Sequence, residues 1–200
     1  MKKIIGMIAA CAVLCLAGAA FADTPEKETV ALEVPAGLAQ QICKQPVWNG
    51  VIAVWKGVTD ERPEKAIGLQ TRKNGKDPIE VFASPTLDSV LDKALREVFT
   101  ACGMKFTDKG GSETLKLSVQ IKQFYAGVEK KLITGKAKAT SALTFTADKA
   151  MQTRTIDIGN DMESKEARKG DIKGLTKALN SLLAETLKQV PTTQQLRELK

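Results

Sequence analysis

Asp60, Glu61, Glu64 and Asp77 are the side chains whose type and spacing could do acid–base chemistry, provided that two of them share one cleft. They would have to act without the usual helpers. The chain has no histidine, which removes the Ser-His-Asp and Cys-His arrangements together with the commonest zinc ligand. Ser-x-x-Lys catalysis fails on spacing, because Asp92 and Ala184 stand where lysines should follow Ser89 and Ser181. Gly110-Gly111, between Lys109 and Ser112, reads as a turn and not as a phosphate loop. No catalytic residue, metal site or cofactor is therefore expected. A small carboxylate-dependent hydrolase or transferase is kept as the alternative to a protein that works by binding.

Two groups of residues are candidates for binding. Asp60 and Arg62 follow an apolar run on a turn, where a carboxylate accepts N–H bonds and a guanidinium forks onto a carboxylate or a partner. The same pair could instead lock its own loop. Lys116, Lys122, Lys136 and Lys138 would share the open face of a hairpin, either as a cationic contact surface or as solvated residues that keep an exposed sheet soluble. Cys43 and Cys102 could pair in an oxidising compartment or could be two packing thiols. Trp48 and Trp55 read as core or lid residues, and Phe124-Tyr125 should place one ring on each face of a strand.

The elements that must position these residues follow from periodicity. Residues 23–49, broken by Pro35, Gly37 and Pro46, read as an irregular leader. Val51-Ile52-Ala53-Val54-Trp55 is a continuous apolar run, which predicts a central strand covered on both faces. Ile67 to Thr71 and Ile79 to Phe82 form a hairpin about Asn74-Gly75. Ser84-Pro85 offers an N-cap and a first-turn proline for a helix. Its stripe is Leu87, Val90, Leu91, Ala94, Leu95, Val98, Phe99 and Cys102, with Gly103 as the C-terminal stop.

Leu115, Leu117, Val119 and Ile121 alternate with polar residues, as do Ala137, Ala139, Ser141, Leu143 and Phe145. They predict two half-buried strands joined by a turn near Glu129-Lys130-Lys131, with Met151 to Ile158 as a third. Asp171 then caps a helix carrying Leu175, Ala178, Leu179, Leu182, Leu183, Leu187 and Val190, which Pro191 stops, and Gln194 to Lys200 adds a short turn. The expected fold class is α+β, with a mostly antiparallel sheet and two amphipathic helices packed on one face. Residues 50–200 form the single domain of this reading.

Lys2 and Lys3, the apolar run Ile4 to Leu16 and Ala20-Phe21-Ala22 have the form of an export signal over residues 1–22. Two readings of it stand. Cleavage after Ala22 gives a periplasmic chain without a transmembrane helix, whereas Ile8-Ala9-Ala10-Cys11 fits a lipid-acceptor box at the cost of a short apolar region. The formal net charge of +7 is spread along the chain, so it favours anionic envelope partners over nucleic acid.

Together these residues resemble the YajG-like family of bacterial envelope lipoproteins. The resemblance rests on the export signal, Val58-Thr59-Asp60-Glu61-Arg62-Pro63 after a first strand, Ile67-Gly68, Phe124-Tyr125-Ala126 and the closing helix from Leu175 to Leu187, and it spans Gly50 to Leu199. It implies a periplasm-facing protein of unassigned molecular function. Family members carry an acylated cysteine after Leu-Ala-Gly, where this chain has Ala19, so the resemblance implies the address and not the outer-membrane anchor. The partners in this reading are an envelope protein, peptidoglycan or lipid headgroups.

Overall fold

The structure, a computed structural model, describes residues 26–71, 78–128, 137–164 and 172–199. In chain order its elements are β1 (Lys27–Val30), α1 (Leu38–Ile42), β2 (Ile52–Asp60), β3 (Gly68–Thr71), β4 (Pro78–Ala83), α2 (Leu87–Ala101), β5 (Lys105–Phe106), β6 (Leu115–Val128), β7 (Ala137–Lys149), β8 (Gln152–Ser164), α3 (Ile172–Gln189) and α4 (Gln194–Arg197). The Asn74-Gly75 and Glu129-Lys130-Lys131 turns, Asp171, Lys136, Asp77 and the export signal lie outside the described residues.

All eight strands join one sheet with β6 at its centre. On one side β6 runs antiparallel to β7, and β7 antiparallel to β8, in two long ladders. On the other side β6 pairs in parallel first with β2 and then, near its end, with β3. The β3–β4 hairpin, β1 beside β4 and β5 beside β2 complete the sheet. It is mostly antiparallel, and the parallel joint at β2–β6 depends on the crossover through α2, since parallel neighbours cannot be linked by a tight turn.

The alternation in β6 and β7 comes from one wet and one dry face. Leu117, Val119, Ile121, Leu143 and Phe145 point inward and are buried, against Leu91, Leu95 and Phe99 of α2 and Leu175, Leu179, Leu182 and Leu183 of α3. Each such side chain contributes about 1.5–3 kcal/mol when fully buried. A bulge between Ile121 and Gln123 shifts the phase, which turns Phe124 inward and leaves Lys122 and Gln123 outside. Among the described residues, no helix is long and apolar enough to cross a membrane.

Four expectations are corrected. The run from Val51 to Trp55 is not covered on both faces, since Ile52 is exposed and Val51 and Trp55 are half-buried. The leader is not irregular throughout: residues 27–30 form a strand parallel to β4, and Val30, Leu32, Leu38, Ala39 and Trp48 are buried in the core. A four-residue strand and a five-residue helix are too short to show a period. The cap of α2 is Thr86 and not Ser84, without a side-chain capping bond. Ser84 is otherwise engaged, since its N–H donates to Val30 O at 2.9 Å and so extends the β1–β4 ladder. The third strand also runs six residues past its expected end at Ile158, to Ser164. Gly103 behaves as expected, with φ +98°, and a Cβ there would meet Pro46 Cβ at 3.0 Å.

Candidate functional site

Asp60 ends β2, and the backbone N–H of Glu61 still donates to Ile121 O of β6 at 3.1 Å. The loop that follows folds back on Arg62. Arg62 Nε donates to Asp60 Oδ1 at 2.9 Å, and Nη2 donates to Asp60 Oδ2 at 2.8 Å and to Lys65 O at 3.2 Å. Nη1 donates to Phe124 O at 2.8 Å and to Ala66 O at 3.1 Å. A guanidinium has five N–H donors, so Arg62, 6% exposed, has none left for a partner. Asp60 also accepts the backbone N–H of Arg62, and its carbonyl accepts from Lys65 Nζ at 2.7 Å.

Burial alone would raise the Asp60 carboxyl, but the side-chain and backbone hydrogen bonds and the charge of Arg62, with a further pull from Lys65, hold it below the ordinary carboxylate value. The two residues meet as the sequence led one to expect, and they lock their own loop against β6 at Phe124. A cleft of about 470 Å³ lies beside them, lined also by Phe82, Thr86 and Asp88. Of the four carboxylates considered for catalysis, Asp60 alone among the described residues lines it. Glu61 instead pairs with Lys122 at 2.6 Å, and Glu64 is exposed.

Lys116, Lys122 and Lys138 lie on the outer sheet face, but acids interleave with them. Lys116 stands across from Asp148 in the β6–β7 register, and Lys138 across from Glu163 in the β7–β8 register. Asp148 and Asp157 accept hydrogen bonds from Thr153 and Thr144, both at 2.6 Å. Tyr125 is half-buried on this face while Phe124 is fully buried on the other. Asp161 and Glu163 join this face because β8 runs past Ile158, so that Glu163 stands on a strand and not in a charged loop.

At the opposite end of the sheet, Trp48 pins the leader to the domain. Its backbone N–H donates to Cys102 O at 2.9 Å, its indole N–H to Leu196 O at 2.7 Å, and its ring lies 4.9 Å from that of Phe99. Cys43 and Cys102 form a disulfide beside it. Trp55 is half-buried and donates to Asp92 Oδ1 at 2.7 Å.

This end also holds a feature that sequence reasoning missed, a cleft of about 700 Å³ bounded by residues 49–52 and 113–115, by Ala147, Lys149, Ala150, Gln152 and Arg154 about the β7–β8 turn, and by residues 198–199. Its rim is the β7–β8 turn, where Ala150 (φ 51°) and Met151 (φ 63°) are both left-handed. Ala150 N–H donates to Ser112 O at 3.0 Å, and Met151 is fully exposed. Ile52 is also exposed. Nothing in a sequence of four separate segments signals that they converge.

Residues 48–199 match the model of the family Lipoprotein_16, described as uncharacterized lipoprotein. The chain belongs to this lipoprotein family. The match begins at Trp48 and ends at Leu199, so the Trp48–Leu196 hydrogen bond ties its two ends together, and β1 and α1 precede it. Membership points to the cell envelope. No curated protein is similar to the chain. Among solved structures, it is similar to a protein of Xanthomonas campestris at 12% identity, covering 81% of this chain and 91% of that one with a TM-score of 0.49. It is similar to a minor lipoprotein of Acinetobacter baumannii at 11% identity, covering 68% and 93% with a TM-score of 0.32. A third similarity is to the dodecameric PelC of Paraburkholderia phytofirmans, at 14% identity, 70% and 86% coverage and a TM-score of 0.32.

Proposed function

We propose that this lipoprotein-family chain is an exported, non-enzymatic module of the YajG-like kind that faces the periplasm and works by binding an envelope protein, peptidoglycan or lipid headgroups. The export signal over residues 1–22 and cleavage after Ala22 are part of this reading. One observation carries the choice of binding over catalysis. The Asp60 carboxylate, the best-placed candidate for acid–base work, is engaged on both oxygens by Arg62, which is itself saturated. A carboxyl held ionised by a permanent partner neither delivers nor collects a proton near neutral pH.

The contact surface in this reading is the open sheet face carrying Lys116, Lys122 and Lys138, with Lys136 joined to it by sequence and the Asp60–Arg62 loop at its margin. Asp148 stands across from Lys116, and Asp157 and Asp161 lie on the adjoining β8, so the face suits a partner that bears both signs of charge better than a uniformly anionic one. Replacing the four lysines by glutamine tests the proposal. Exposed substitutions usually cost under about 0.5 kcal/mol, so the variant should melt like the parent. It should lose retention on purified envelope fractions, and parental retention should weaken with salt. Equal retention of variant and parent removes the lysine face from the proposal.

A further inference from the structure

We propose that the cleft under the β7–β8 turn is a binding site for a short peptide bearing both a carboxylate and an ammonium group. This deepens the binding reading above and rests on it. The cleft's place in the fold is fixed by register. Lys27, where the leader joins the sheet, is level with Glu80, Leu69, Gly127 and Lys138. From Lys138 the strand runs on to Lys149 before the turn, which at the usual rise of about 3.3 Å per residue is about 36 Å. The cleft therefore opens at the end of the sheet remote from β1, where the last residues of the leader return to the sheet.

Its chemistry is two-sided. Leu115, Ala147 and Leu199 give it an apolar floor. Arg154 lines it and, among the described residues, makes no hydrogen bond or ion pair. A guanidinium in that state is a fork for a carboxylate. The same lining carries the carboxylates of Glu113 and Glu198. A purely anionic headgroup would meet those two acids, and a purely cationic ligand would meet Arg154 and Lys149, which also lines the cleft. A zwitterion with an apolar body satisfies both signs, and Asn49 and Gln152 can serve its amides. About 700 Å³ lies within the range of small-molecule sites and is roomy enough for a few residues of peptide.

The walls are held before any ligand arrives. Trp48 binds Cys102 O and Leu196 O, which fixes the segments leading to Asn49 and Leu199, and Ala150 N–H binds Ser112 O, which fixes the turn. Pre-formed walls reduce the ordering cost of binding.

The probe is a soluble disaccharide-tetrapeptide released from peptidoglycan, titrated calorimetrically into the purified protein. Saturable binding is expected, at least tenfold weaker in Arg154→Gln and weaker in Glu198→Gln, with melting temperatures unchanged. The peptide-free disaccharide should not bind. No binding by the parent, equal affinity in Arg154→Gln, or equal binding of the disaccharide alone would overturn the site. Retention on envelope fractions, measured in parallel, separates the two proposals. Retention without peptide binding overturns the cleft alone, whereas loss of both overturns the cleft and the binding module together.

Discussion

Two arginines mark opposite ends of this sheet, and the chain treats them differently. Arg62 is 6% exposed, and all five of its donors are met by Asp60, Lys65, Ala66 and Phe124. Arg154 is exposed at the margin of a cleft and has no polar partner among the described residues. In the sequence both are arginines close to an acid. Satisfaction separates them: a buried charge that the fold already pairs contributes to the fold, whereas an exposed charge left unpaired beside a cavity remains available to a ligand.

The sharpest separation of the two ends should come from the disulfide. Cys43 and Cys102 are 59 residues apart, and closing such a loop contributes on the order of 4 kcal/mol in the chain-entropy model. Their bond sits beside Trp48, at the cleft end. Replacing both cysteines by serine should therefore lower the melting temperature by several degrees. Hydrogen exchange should show protection lost first around Trp48 and Leu196 and only later at Arg62. Uniform loss at both ends would mean that the sheet transmits the constraint and that the two regions are not independent.

Next comes the polar lock. Asp60→Ala strands the Arg62 guanidinium in the interior, which typically costs about 3 kcal/mol or more, while Arg154→Ala should cost under about 0.5 kcal/mol. Thermal melts of the two variants decide it, and similar losses would break the comparison. The lock is also pH-dependent. Because the folded carboxyl of Asp60 lies below its ordinary value, its contribution is fully present above the unfolded value of about 3.9. It is lost as pH falls through the lower folded value. Asp60→Asn should flatten that acid limb of the stability curve. An unchanged limb would place the acid sensitivity elsewhere.

How much of this was readable in advance depended on the length of the pattern. α2, α3 and the β6–β7 ladder each repeat their apolar spacing over many residues, so Leu91, Leu95, Leu179 and Leu143 all lie where their periods place them. β1 and α1 are too short to repeat anything. Ser84 illustrates a different failure, in which a good local cap goes unused because Ser84 still belongs to the end of the β1–β4 ladder and the helix starts only at Leu87. For Asp60 and Arg62 the spacing pointed to a pair, but whether the pair serves a partner or its own loop depends on Phe124 and Ala66, which only the fold brings near. The lysine face was legible as alternation on β6 and β7. Its acids on the distal part of β8 were not, because Gly159, Asn160 and Asp161 resemble a turn.

The smallest expected effect concerns the turn itself and has the opposite sign in stability and in binding. Two-residue hairpin turns with both residues left-handed favour Asn-Gly, because a Cβ crowds the backbone there. Ala150 and Met151 occupy those positions at φ 51° and 63°. Replacing them by Asn-Gly should relieve a strain of about 1 kcal/mol or a little more, raising the melting temperature by a few degrees. Strain kept at a functional rim is commonly traded against stability. The same variant replaces Ala150, which lines the cleft, and removes the exposed Met151 side chain next to it, so it should also weaken binding of the disaccharide-tetrapeptide. A variant that gains stability and binds as tightly as the parent would show that the cleft depends on Arg154 and its floor, and that Met151 only closes the hairpin.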